Sequence, residues 1–148
     1  MRIALIALTI SASLLLSGFA PEIKSTTKIT VSATRLESPI EITDTGLLAL
    51  SNVFAGNFLG SPAPAPRAEL TRYTLSFDIQ TLNGVKEAAY VVQYCVDEQT
   101  GEGFVYLPGR GEPSHDRNIS TILRQGQDGH WHRASEQWSV AISGYVRR

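Results

Sequence analysis

The sequence predicts an α+β fold, an antiparallel sheet of about five strands covered on one face by two helices. Three observations carry that expectation. Apolar residues alternate with polar ones in "KITVSATR", "PIEIT" and "RYTLSFDIQ", the period-two pattern of half-buried strands. The stretch "EAAYVVQYCVDE" is apolar on both faces, which marks a central strand. Around Leu47 and around Trp138 the apolar residues fall instead at helical spacing.

The chain has 148 residues, of which 43% are hydrophobic and 18% charged. That composition suits one folded domain rather than a disordered chain. The formal net charge is −1, and no lysine or arginine cluster stands out. A nucleic-acid partner would need such a basic footprint, so none is expected.

Residues 1–20 read as a signal peptide or N-terminal anchor. Arg2 precedes an uncharged run from Ile3 to Leu16, and small residues follow. The run is shorter than the ~20 residues of a membrane span, so a cleaved signal and a retained anchor are both open. Gly18 and Ala20 have the spacing that signal peptidase uses, but Pro21 suits the position after a cut poorly. "LSG" begins like a lipoprotein box, yet Phe19 stands where the lipidated cysteine belongs. Residues 21–28 read as a spacer, and 29–148 as a single α+β domain. The expected location is periplasmic or extracellular. Cys95 is the sole cysteine, so no internal disulfide forms; its apolar surroundings make it a core residue rather than a nucleophile.

The elements follow in order. Ile29, Val31 and Ala33 line one face of a first strand, and Ile40 and Ile42 continue the alternation after a short connection. Leu47, Leu50, Phe54 and Phe58 predict a helix from about Asp44 to Ala55, capped by Thr43 or Asp44. "GSPAPAPRAE" reads as an extended, solvated polyproline loop. Tyr73, Leu75, Phe77 and Ile79 share a strand face, and Asn83-Gly84 predicts a type I′ turn into the central strand. "GFVYLPG" gives a third strand of this meander, ending at Pro108. Ile119, Ile122 and Leu123 suit a helical turn or two, and "DGHWHRA" a turn and short strand. Trp138, Ala141, Ile142 and Tyr145 form the apolar face of a last helix with Ser135 as N-cap.

Candidate binding residues cluster late in the chain: Arg110, His115, Asp116, His130 and His132. On a strand, His130 and His132 would send both imidazoles to one face and Trp131 to the other. Two histidines can begin a metal site, which then needs a third ligand; His115 and Asp116 are the candidates. The plainer arrangement has both histidines on the solvent face and Trp131 and Trp138 in the core. No metal and no cofactor is expected. Arg110, between two glycines, can fork onto a carboxylate or phosphate. "SHD" at 114–116 is not a triad, because consecutive loop residues diverge. Asn118-Ile-Ser120 fits the N-glycosylation sequon.

The segments "PIEITDTGLLALSNVFAGNFLG", "RYTLSFDIQ", "GFVYLPGRGEP", "NISTILR" and "GHWHRASEQW" together resemble a group of small, uncharacterised exported proteins of bacteria. The likeness runs from about Ile29 to Trp138. It implies a cell-envelope or secreted location and transfers no catalytic residue. The function expected is a non-enzymatic binding or interaction module of the cell envelope, whose partner is an envelope protein, a wall component or a small ligand. Membrane contact is expected only through an uncleaved N-terminal segment. The alternative is a small metal-dependent or hydrolytic enzyme using His115, His130 and His132.

Overall fold

Polar and apolar residues alternate from Lys28 onward, and that alternation builds the first hairpin. A computed structural model describes residues 24–118 and 128–147. The signal or anchor expected over 1–20, the start of the spacer and the helical turn expected at 119–123 lie outside them. Strand β1 (Ser25–Ser32) pairs antiparallel with β2 (Ile40–Ile42), Ile29 facing Ile42 and Val31 facing Ile40. Residues 25–28, expected as spacer, form strand because β4 (Tyr73–Thr81) offers them a partner, Thr26 facing Ile79. Thr26 is buried, and its hydroxyl donates to the Ser51 carbonyl at 2.5 Å.

Helix α1 (Thr45–Leu50) starts where expected, with the Asp44 carboxylate accepting from the Leu47 N–H at 2.8 Å. It ends five residues early. Ser51 donates from its hydroxyl to the Leu47 carbonyl, and the Asn52 side chain accepts from the N–H groups of Phe54 and Ala55. These short polar side chains offer the backbone an alternative to the helical ladder. Phe58 still reaches the core, from a turn rather than a helix.

Strand β3 (Leu59–Ala63) departs from the expected loop, since "GSPAPAP" reads as polyproline. Polyproline and strand backbones differ little, and a proline fits an edge strand whose N–H side is unpaired. β3 is indeed an edge. β5 (Gly84–Val96), β6 (Gly103–Tyr106) and β7 (Trp131–Ala134) complete the sheet. Among the described residues its seven strands run β2-β1-β4-β5-β6-β7-β3, each neighbouring pair antiparallel, with β5 in the middle as its two apolar faces require.

The β4–β5 turn sits one residue earlier than the Asn-Gly pair suggests. Thr81 faces Gly84 across Leu82 and Asn83, and of the two residues of that pair only Gly84 has positive φ, so the turn is not type I′. The Thr81 hydroxyl organises it, accepting from the Asn83 N–H and donating to the Gly84 carbonyl. Leu82 is thereby pushed to the tip.

The described residues thus hold seven strands and three helices, against about five and two expected. The α+β class and the helix-covered antiparallel sheet stand. Helix α2 (His115–Asn118) is four residues long, and α3 (Glu136–Val146) follows Ser135 at the N-cap position, without a side-chain capping bond. Trp138, Ile142 and Val146 bury α3 on the same sheet face as Leu47, against Tyr73, Phe77, Tyr90 and Tyr94. Its end is clamped: Arg35 and Tyr73 both donate to the Val146 carbonyl, at 2.7 and 2.9 Å.

At Gly103, α3 lies tight against the sheet. A Cβ there would stand 2.2 Å from the Ser139 hydroxyl oxygen and 3.0 Å from the Tyr94 ring. Gly103→Ala is expected to destabilise by about 1–3 kcal/mol through overpacking, read as a lower urea midpoint at unchanged slope. Adding Ser139→Ala removes the nearest clash and should restore part of the loss.

A candidate ligand site on the open sheet face

Strand register sets the second face of the sheet. Gln93 faces Tyr106, Tyr106 faces Trp131, and Trp131 faces Ala63, so these four residues form one row across β5, β6, β7 and β3. Cys95, Phe104 and Trp131 make a small apolar cluster there, with Ala63, Leu70 and Tyr106 packed against it. The Tyr106 and Trp131 rings lie 5.2 Å apart, centroid to centroid.

Arg72 belongs to this face. Its neighbour Tyr73 is in the helix-covered core, and period two turns Arg72 the other way. The guanidinium lies 5.0 Å from the Trp131 ring centroid. Among the described residues it has no carboxylate or carbonyl partner besides that ring contact. Arg72, Gln93, Tyr106, Glu112 and Trp131 enclose an open hollow of about 390 Å³.

Glu112 reaches the hollow from the turn after β6, but its charge is committed elsewhere. It accepts from the Tyr106 hydroxyl at 2.6 Å and from the Gly109 N–H at 3.2 Å. Desolvation, and then the bond to Glu112, push the Tyr106 hydroxyl up to about 12. Burial likewise pushes the Cys95 thiol beneath up to about 11, with Arg72 opposing. Both groups therefore keep their protons at neutral pH, and neither is poised to act as a base or nucleophile there.

The residues singled out from sequence lie elsewhere. Arg110 is exposed in a turn and does not line the hollow. His115 is buried, its Nδ1 3.0 Å from the exposed carboxylate of Asp116. His130 precedes β7 and is exposed, its backbone N–H donating to Asp128. His132 lies on the opposite face from Trp131, as strand alternation requires, but it is buried rather than solvated. Its Nε2 stands 3.1 and 3.2 Å from the two Asp128 oxygens. Its Nδ1 is buried with no hydrogen-bond partner among the described residues. The His115 ring thus meets Asp116 and the His132 ring Asp128, and among the described residues no three His, Cys, Asp or Glu side chains gather as a metal site.

Arg72, Gln93, Tyr106 and Glu112 escape a reading of the sequence. The one signal for them is register: a meander with a central β5 puts position 93 beside 106. The third strand in that row, β7, joins from a segment too short to fix its neighbours. Asn118, the first residue of the sequon, is buried, and its side-chain amide is bonded to Val91.

Comparison with known proteins finds no match: no family model, curated protein or solved structure is similar to this chain.

Proposed function

We propose that this protein is an exported, non-enzymatic binding module that takes a small anionic ligand on the open face of its sheet. The carrying observation is the Arg72 guanidinium, held against Trp131 in a hollow with its hydrogen-bonding fork uncommitted among the described residues. Arginine presents five donors in a plane that matches a carboxylate bidentately. Tyr106 and Trp131 supply two aromatic rings tilted 46° to one another, and Gln93 an amide that both donates and accepts. The ligand class this favours pairs a carboxylate with a flat face, as an acidic sugar or an aromatic acid does. Export rests on the charged start, apolar run and small residues of positions 1–20.

Titration with glucuronate, benzoate and neutral glucose, followed by amide chemical shifts, tests the reading. Either acid is expected to move the signals of Tyr106, Trp131 and Gln93, and glucose to move them far less. Arg72→Met keeps the aliphatic cover on Trp131 but removes the fork. It should weaken binding roughly 10–100-fold, the worth of about 1.5–3 kcal/mol for hydrogen bonds to a charged group. Shifts that map away from this row, or an Arg72→Met variant that binds as well as the parent, would sink the proposal.

A further inference from the structure

Leu82, at the β4–β5 tip, is the most exposed large apolar side chain among the described residues, at 83%. Val140 on α3 stands alone at 69%, whereas Val85 beside the tip is 55% exposed and Phe54, in the turn after α1, 39%. Lys24, Leu82, Val85 and Lys86 border one open hollow of about 550 Å³, and the Lys24 ammonium sits 5.0 Å from the Phe54 ring centroid. Neither Lys24 nor Lys86 makes an ion pair among the described residues, although Glu87 follows Lys86 in the chain. Exposed leucine and valine flanked by lysines is the chemistry of an interfacial anchor. The apolar tips enter the headgroup boundary while the lysine stems lie along it and keep their charges in water.

Where the chain arrives at this end selects the occupant. Lys24 immediately precedes Ser25, which faces Gln80 beside the tip. Upstream, the apolar run ends at Leu16. The eight residues from there to Lys24 span at most about 29 Å when fully extended. By contrast β5, with its 13 residues, is about 40 Å long. A tether of that reach keeps the tip, rather than the 97–102 turn at the far end of β5, beside whatever holds the apolar run.

We infer that Leu82, Val85 and Phe54, with Lys24 and Lys86, form a membrane-facing surface that lies on an anionic bilayer while residues 3–16 engage it. This rests on the membrane-engaging reading of the N-terminal run and is independent of the Arg72 hollow. It leaves the 97–102 turn pointing away from the bilayer.

The test uses the full chain with vesicles of phosphatidylcholine and a minority of phosphatidylglycerol. Cys95 is buried and its thiol protonated, so a cysteine placed at the surface takes an environment-sensitive label selectively. Labels go on Leu82→Cys and, as the distal control, on Gln99→Cys. Iodide quenching of the label at 82 is expected to fall about threefold or more below that at 99 once vesicles are present, with a blue-shifted emission. Val85→Glu with Lys86→Glu, added to the Leu82→Cys chain, should return quenching to the value at 99 while the protein still sediments with vesicles. Equal quenching at 82 and 99 on sedimented protein overturns the inference, and so does a protein that does not sediment. Neither result bears on whether acids bind at Arg72.

Discussion

Trp138→Ala is expected to cost about 3–5 kcal/mol of folding stability, the range for truncating a buried aromatic residue. A domain of this kind holds only about 5–15 kcal/mol in total, so the variant should be near the edge of folding. The indole is fully buried and packs against Phe58 at 5.2 Å and edge-on to Tyr94 at 5.3 Å. Its Nε1–H also donates to the Ser51 hydroxyl at 2.9 Å. Ser51 in turn donates to the Leu47 carbonyl at 2.7 Å, and its own carbonyl accepts from Thr26. One buried serine therefore ties α3, α1 and β1 together. Ser51→Ala leaves the indole N–H without an acceptor and should cost about 1–3 kcal/mol, less than losing the ring. Urea unfolding checks both values and their order. A Trp138→Ala loss below that of Ser51→Ala would mean that the aromatic packing is not what holds the helix layer on the sheet.

The pattern behind that layer is readable in the chain. Trp138 and Ile142 fall on one face of a helix by spacing, and Tyr90, Val92 and Tyr94 on one face of a strand, so the core between them follows from periodicity alone. β5 is central because it is apolar on both sides. What periodicity does not contain is competition from short polar side chains. Ser51 and Asn52 stop α1 early, although the apolar spacing continues to Phe58. The proline-alanine stretch fails in a different way, since its backbone is compatible with both polyproline and an edge strand and only the presence of β7 decides. The candidate site is the least legible part. His130, Trp131 and His132 attract notice by residue type, yet the ring that faces the hollow is Trp131, and the arginine over it comes from 59 positions earlier. Long-range strand order makes that contact, and local spacing carries no trace of it.

Asn118→Ala is the second substitution expected to act strongly, through two backbone groups rather than a side-chain core. β6 pairs with β5 from Val96 back to Gln93 and no further. Val91, two residues on, points its N–H and C=O to the same side, where the strand has run out. Asn118 fills that gap as a backbone mimic, its Oδ1 accepting from the Val91 N–H at 2.8 Å and its Nδ2 donating to the Val91 carbonyl. Alanine leaves both groups unpaired in a part-buried place, at a cost of about 2–4 kcal/mol. The isosteric change Asn118→Asp keeps the acceptor but sets a carboxylate oxygen against the Val91 carbonyl, so it should not rescue. Amide exchange separates this local effect from general weakening: the Val91 N–H is expected to lose protection well before Leu75, in the middle of β4. A Val91 amide that is unprotected in the parent chain, or unchanged in the variant, would remove Asn118 from this role. The consequence reaches the hollow, because Asn118 closes the segment that carries Glu112 over Tyr106. Freed at that end, the segment should hold Glu112 less firmly, so its bond to the Tyr106 hydroxyl should loosen while the Arg72–Trp131 contact remains.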